Sequence, residues 1–414
     1  MTSTLPEAGV VHAPASGPCA RRLPSTVDIA IVGGGCVGLA TAVRLAAMPG
    51  SRTVLVLEGR SGDDSRSWCS WDDGSDPVPE ARSASWSRWE VRTERGVSVG
   101  SDPAHPYVLV RAADRRAAAD RRLATSRSVR LVDGVPVRAV DRSDDGVLVR
   151  TRTGSVRASA VLDARGPRCP TSTPLGRVVL HQRFVGQWVT AERPVFDPTT
   201  VTLMDFADAR QPGVVHFVYV LPVSTTHALV ESTLFTPVAD DPLDHRSAIA
   251  AYVQRRWALD RDEWKVDDEE QGCIPMTDVV PAAARPARVS AVLGTTRPSS
   301  GYGFARSNRH SETIAEHLAA GTPVPAFVDR GRTRFLDAVF LRFLRHRPDE
   351  AAEAFRRLFA LPGPLVVRFL TERSSVVDDL RIVLALQKTP FLAALVRTLA
   401  DAAVRAVRGQ RGRS

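Results

Sequence analysis

No run of about 18 uncharged apolar residues occurs in this 414-residue chain, so no membrane-spanning helix is expected. Cysteine is scarce. Cys19, Cys36, Cys69, Cys169 and Cys273 are odd in number, widely spread and form no C-x-x-C pair. That argues against a disulfide framework or a cysteine zinc site and fits a reducing cytosol. His181, His216 and His227 lack zinc-ligand spacing and read as structural. There is no nucleophile elbow, no P-loop, no supported nucleophilic triad and no internal repeat. Basic residues outnumber acidic ones, 55 to 46, but the charge is almost all scattered arginine without an aromatic–basic RNA-binding motif. Nucleic acid is therefore not an expected partner. A basic surface resting on anionic lipid and plain arginine bias both account for the net charge of +9. The first 26 residues carry Pro, Ala, Ser and Gly without an apolar h-region, and read as a disordered tail, not a signal peptide.

What is present is enough apolar material, 43% of residues, for one large or two interleaved domains. Val27 to Val32 is a β-branched strand signal, Leu39 to Met48 has helical spacing ending at Pro49-Gly50, and Thr53 to Leu57 is a second strand. This is a βαβ unit. Ser61 to Ser87 reads as loop-rich. Tyr107 to Val110 predicts a strand and Ala112 to Thr125 a helix. Short strand-like runs with turn signals from Val129 to Val161 predict a small antiparallel meander, and Val161 to Gly166 a return to the parallel sheet. His181 to Thr236 alternates and predicts a larger antiparallel sheet. Ser290 to Gly294 is another strand, the following turn leads into a helix reaching about Gly321, and Phe335 to Val407 is helical with breaks at Pro362-Gly363-Pro364 and Pro390.

Gly33, Gly35 and Gly38 form G-x-G-x-x-G between strand and helix. The first permits the tight turn, the second lets backbone approach a pyrophosphate, and the third lets helix pack on strand. The helix N-terminus offers N–H groups and positive dipole to the phosphates. Glu58 lies about 20 residues further on, at a strand end, where an acid accepts from ribose hydroxyls. Such a fingerprint could hold NAD(H), but the late P-x-x-G-x-G of Pro298, Gly301 and Gly303 favours FAD. There the backbone can come close to a planar ring, with a helix dipole suited to an anionic reduced flavin. Flavoproteins of this shape often carry Gly-Asp just before that turn. Here Gly294 is followed by Thr295, so one flavin contact is supplied differently or is absent.

Glu231, in Leu229-Val230-Glu231, is one carboxylate in an apolar strand, with Thr233 on the same face. It faces either solvent or a cavity. In a dry cavity, desolvation would keep it protonated near neutral pH. Asp205 is a second isolated acid among apolar residues, readable also as a turn cap. Trp68, Trp71, Phe217 and Tyr219 are either plain core or the aromatic lining of that cavity, able to stabilise a cation. The stretch from Leu392 to Arg413 is a basic amphipathic helix, either solvated or lying on a membrane.

Asp28 to Gly38, Trp68-Cys69-Ser70-Trp71, Asp163 to Gly166, Met204-Asp205-Phe206, Phe217 to Pro222 with Leu229 to Thr233, Ile274-Pro275-Met276 and Pro298 to Tyr302 together resemble the lycopene cyclase family. The likeness runs from Val27 to about Leu395. The resemblance implies a flavin-dependent, redox-neutral cyclisation of lycopene ends to β-ionone rings. It implies reduced FAD, with NADPH or NADH as reductant, in a cytoplasmic protein held peripherally at the membrane that carries its substrate. It leaves room for other carotenoid-pathway enzymes as partners. It maps the family's acid onto Glu231 and a Met-Asp motif acid onto Asp205, while Ser232 stands where plant members have a second Glu. The rival readings are another flavoenzyme, a monooxygenase or prenyl reductase, and a flavin-bound carotenoid carrier.

The expected fold is α/β: a Rossmann-type FAD-binding domain with an inserted antiparallel β-sheet substrate domain and a helical C-terminal region. The expected boundaries are a tail at 1–26, the FAD-binding domain at 27–176 and 285–325, the substrate domain at 177–284, a possible membrane-facing helical region at 326–408 and a basic tail at 409–414.

Overall fold

The computed structural model describes residues 23–50, 52–62, 64–143, 146–166, 172–207, 213–238, 243–279, 289–291 and 295–411. Most of the expected N-terminal tail, Cys19, Cys169, Gly294 and residues 412–414 of the basic tail lie outside the described residues.

The βαβ unit is present as β1 (Thr26–Val32), α1 (Cys36–Ala47) and β2 (Val54–Leu57). The chain then forms β3 (Ser67–Trp71), β4 (Ala84–Trp86), β5 (Arg88–Thr93), β6 (Gly96–Ser101), β7 (Tyr107–Arg111) and α2 (Ala112–Leu123). Next come β8 (Val129–Val132), β9 (Val137–Ser143), β10 (Gly146–Thr151) and β11 (Ser155–Asp163). The middle of the chain is β12 (Val179–Ala191), β13 (Thr200–Asp205), β14 (Val215–Pro222), β15 (His227–Thr236), α3 (His245–Trp257), β16 (Trp264–Thr277) and β17 (Val289–Ala291). Helices follow: α4 (Phe304–Ala320), α5 (Gly331–His346), α6 (Ala351–Phe359), α7 (Gly363–Leu370), α8 (Val376–Ala385) and α9 (Lys388–Arg411).

The first sheet runs β8-β2-β1-β11-β10-β9, with β17 also on β11. Its β8-β2-β1-β11 part is parallel, with Ile31 beside both Val56 and Leu162. Both faces of β1 and β2 are covered, so their residues are apolar without alternation. The predicted meander is antiparallel only from β9 to β11; β8 pairs parallel with β2. The C-terminal ends of β1, β2 and β11 converge on one edge, the usual place for a ligand in such a sheet.

The second sheet runs β16-β12-β15-β14-β13-β5-β6. It is antiparallel except where β13 lies parallel to β5. Its last two strands, β5 and β6, come from the segment between the βαβ unit and β7. On β15, Ala228 and Val230 pack toward α3 with Ile249, Tyr252 and Val253. Leu229 and Phe235, on the opposite face, join a core shared with α5, α6 and α7. Both faces of this sheet are therefore covered.

Two local expectations are corrected. The stretch Ser61–Ser87 holds β3 and β4, both antiparallel to β7, because its tryptophans pack (Trp71 opposite Tyr107) where its Asp and Ser residues suggest turns. The helix break expected at Pro390 lies just before it, between α8 and α9 at residues 386–387. Pro390 itself sits in the first turn of α9, where a missing N–H costs no intrahelical bond.

Candidate active site

A cavity of about 670 Å³ lies between the C-terminal edge of the first sheet and the inner face of the second. Gly33, Gly35 and Glu58 form one end of it, and Gly301, Tyr302 and Gly303 one wall. Glu231, Tyr219 and Phe217 come from the second sheet.

At the first end, Gly33 adopts φ +104, and a Cβ there would meet the Ala164 backbone at 3.0 Å. A Cβ on Gly38 would lie 1.9 Å from the Gly33 carbonyl oxygen, so close helix–strand packing requires glycine. Gly35 differs: nothing lies within 4 Å of its Cβ direction, which opens toward the cavity. It also caps α1 and, having no side chain, makes no capping hydrogen bond there. Glu58 accepts from the Gly34 N–H at 2.7 Å and the Arg60 N–H at 2.9 Å. Burial works to raise its pKa, but these N–H groups and the Arg60 guanidinium outweigh that and hold it ionised, below its ordinary value. Free helix N–H groups, an open glycine and a fixed carboxylate fit a dinucleotide.

The late turn is clamped. The Arg297 N–H donates to the Tyr302 carbonyl at 2.7 Å, and the buried Arg297 side chain pairs with Asp337 of α5 at 3.1 Å. The Ser299 hydroxyl also donates to Asp337, at 2.6 Å. Gly301 sits at φ +72, and a Cβ there would meet the Gln182 Oε1 at 2.2 Å. That buried amide oxygen has no hydrogen-bond partner among the described residues, as expected of a group aimed at a polar ring. Gly303 caps α4 without a side-chain hydrogen bond. Thr295, standing where an Asp is frequent, is buried in the wall. Pro298 shapes the turn from behind and does not line the cavity.

The second sheet supplies a cross-strand row on one face: Tyr219 of β14, Glu231 of β15, Gly186 of β12 and Glu270 of β16. Glu231 is 9% exposed, so the solvent-facing alternative does not hold. The Thr233 hydroxyl donates to its Oε1 at 2.6 Å. Burial first, and the negative charge of Glu270 second, push its pKa up to about 8 against that hydrogen bond. Glu270 accepts from the Ser67 hydroxyl at 2.8 Å, and burial pushes it up to about 7. The Tyr219 hydroxyl donates to that of Tyr107 at 2.9 Å, and burial raises both phenols well above their ordinary value. Trp68 stacks on Phe304, with ring centroids 5.9 Å apart, at the cavity's edge.

The structure thus brings Gly33, Gly35, Glu58, Gly301, Gly303, Trp68, Phe217, Tyr219 and Glu231 to one cavity. It does not bring Trp71 or Asp205 there. Trp71 is fully buried behind the wall, edge-on to Trp89, Tyr107 and Tyr302. Asp205 pairs with Val218, on the sheet's other face, where it accepts from the Tyr252 hydroxyl of α3 at 2.9 Å. Ser232 faces that side too, within 2.9 Å of His216 and His245. An acid at that position would not reach the cavity. Sequence reasoning missed Glu270, Gly186, Tyr107 and Gln182.

Fold and cavity define a protein of the Rossmann-type flavoenzyme architecture. Solved structures share it: a geranylgeranyl bacteriochlorophyll reductase-like protein from Thermoplasma acidophilum (TM-score 0.59, 13% identity, 90% of this chain and 99% of that one) and p-nitrophenol 4-monooxygenase from Pseudomonas putida DLL-E4 (TM-score 0.55, 18% identity, 93% and 97%). The family model described as lycopene cyclase protein matches residues 28–396, and the chain belongs to that family. It is similar to a lycopene beta-cyclase of Paracoccus sp. (strain N81106 / MBIC 01143), 27% identical over 388 residues covering 86% of this chain and 93% of that protein. It is also similar to a lycopene beta-cyclase of Pseudescherichia vulneris, 29% identical over 263 residues covering 59% and 65%.

Proposed function

We propose that this chain cyclises the ψ-ends of lycopene to β-ionone rings, giving γ- and β-carotene, with reduced FAD bound and no net electron transfer. The observation that carries this reading is Glu231: a carboxyl kept protonated near neutral pH by burial, in the same cavity as the dinucleotide end. A hydrocarbon offers no lone pair, so the reaction begins with proton transfer to a carbon, and that needs an acid in a dry site. Glu231 donates to C2 of the terminal C1–C2 double bond. The C5–C6 double bond attacks the tertiary cation at C1, and loss of the C6 proton completes the β ring. The ring faces of Trp68, Phe217 and Tyr219 stabilise the cationic stages.

Gly33, Gly35, Gly38 and the N-terminus of α1 would hold the FAD pyrophosphate, and Glu58 the ribose hydroxyls. Gly301, Gly303 and the N-terminus of α4 would hold the isoalloxazine. When bound, reduced FAD would supply negative charge that favours a cation in this cavity. NADPH or NADH is the reductant we assign. We place the protein on the cytoplasmic face of the membrane. Among the described residues no helix is long and apolar enough to cross it. Contact would run through the exposed Val376, Val377 and Leu380 of α8 and Leu392, Val396 and Leu399 of α9, with Arg381, Lys388 and Arg397 exposed around them.

The test is expression in bacteria that accumulate lycopene, with pigment analysis. Cyclic carotenes are expected with the wild type and unchanged lycopene with Glu231→Gln, both proteins retaining flavin. One NADPH oxidised per product molecule, with a hydroxylated or saturated product, would instead indicate a monooxygenase or prenyl reductase. Lycopene bound and returned unchanged would indicate a carrier.

A further inference from the structure

The cyclisation needs a base as well as an acid, and the second acid of the cross-strand row has no role in the reading so far. Glu270 and Glu231 lie on β16 and β15, the two strands flanking β12, and both are in register with Gly186. A Cβ on Gly186 would lie 3.5 Å from the Glu231 Cβ and 3.3 Å from the Glu270 Cγ. The missing side chain therefore lets the two carboxyls lie over one backbone position. Both are buried, at 9% and 5% exposure, and both line the cavity.

Their hydrogen bonding is unequal. The Glu231 Oε1 takes the Thr233 hydroxyl. The Glu270 Oε1 takes the Ser67 hydroxyl, but its Oε2 is buried with no partner among the described residues. A buried acceptor without a donor is costly and gains most from a proton. The negative charge of Glu270 also disfavours ionisation of Glu231.

We propose that Glu270 is the catalytic base of the ring closure, taking the proton lost from C6 on its unpartnered Oε2 while Glu231 is the acid. This rests on the cyclase reading above. The step balances. The Glu231 proton forms the new C2–H bond, the C5–C6 π electrons form the C1–C6 bond, and the C6–H electrons restore C5–C6 as the proton passes to Glu270. Between turnovers Glu270 gives that proton to solvent and Glu231 takes one up, so no oxidant or reductant is consumed.

The experiment is turnover of lycopene by the FAD-loaded, reduced protein in D₂O, with mass analysis of product and recovered substrate. The wild type is expected to place one deuterium per ring and to return unlabelled lycopene. Glu231→Gln is expected to give neither product nor label. Glu270→Gln is expected to lose roughly 10²-fold in product, while lycopene labelled at C2 accumulates because the protonated end now reverts. Glu270→Asp keeps a carboxylate and is expected to recover part of the product over Gln. Product from Glu270→Gln within about twofold of wild type, or loss in both Glu270 variants without labelled lycopene, overturns the assignment. A folded, flavin-loaded wild type that makes no cyclic product overturns the cyclase reading itself, which is a different outcome.

Discussion

Keeping Glu231 protonated carries a stability cost that can be measured. In water this carboxyl has an ordinary pKa of 4.5, and its burial beside Glu270 lifts it to about 8. Below 4.5 both folded and unfolded chains hold the proton. As pH rises, the unfolded chain releases it first, so this group's contribution to stability shrinks through the window from 4.5 to about 8 and is lost above it. At about 1.4 kcal/mol per unit, the full loss is on the order of 5 kcal/mol. Glutamine fills the same volume, can still accept the Thr233 hydroxyl and cannot ionise. Glu231→Gln should therefore match the wild type within about 1 kcal/mol at pH 5 and exceed it by roughly 5 kcal/mol at pH 9. Urea unfolding of both flavin-loaded proteins at pH 5, 7 and 9, followed by circular dichroism, gives the difference directly. A pH-independent difference, or a variant less stable than wild type at pH 9, would mean that the carboxyl is not held protonated by burial. The chemistry reading predicts the opposite effect on turnover, so a variant that is more stable and inactive separates the acid from a merely structural residue.

Asp205→Asn should cost about 1–3 kcal/mol of stability, because it weakens a buried cluster with Tyr252 and Arg92, and should leave turnover within twofold when assayed well below its melting temperature. Gly35→Ala should fold within about 1 kcal/mol of wild type yet bind FAD at least tenfold more weakly by fluorescence titration, since its new methyl group points into open cavity. Gly38→Ala should instead lose at least about 2 kcal/mol in urea unfolding, because its methyl group would lie 1.9 Å from a carbonyl oxygen. Replacing Leu392, Val396 and Leu399 together with serine should leave stability unchanged, as all three are exposed. Flotation with phosphatidylglycerol vesicles should show at least tenfold weaker binding, and unchanged flotation would remove α9 from the membrane contact.

The fold was legible where local chemistry carries it. The apolar β1 and β2, the glycines between β1 and α1, and Glu58 at a strand end are local signals, and the structure gives each the predicted geometry. The partners of β5 were not legible. Its pairing with β13 joins segments about 110 residues apart, and nothing in Arg88 to Thr93 names that partner. The same applies to β3, whose Trp71 has meaning only once Tyr107 and Tyr302 lie beside it.

The candidate site divides along the same line. Glu231 stood out because its neighbours are apolar, so one carboxylate is conspicuous in the sequence. Glu270 closes the run Asp267-Asp268-Glu269-Glu270, where an acid looks like part of a solvated face. In the strand those four do different things. Asp267 pairs with Lys265 and Asp268 with Arg111, and Glu269 takes Arg246 on an exposed side; only Glu270 turns into the cavity. What selects it is the register with Gly186, and register is a property of paired strands. A one-residue slip of β16 would bring Glu269 or Gln271 over Gly186 and remove the carboxyl pair. A bulge between Trp188 and Val189 lies two residues beyond Gly186 on β12 and shifts the register there. Bulges can pin register by placing an extra residue at one point of the ladder. The bulge therefore bears on the chemistry, because the placement of the second carboxyl depends on strand pairing as much as on having a glutamate at that position.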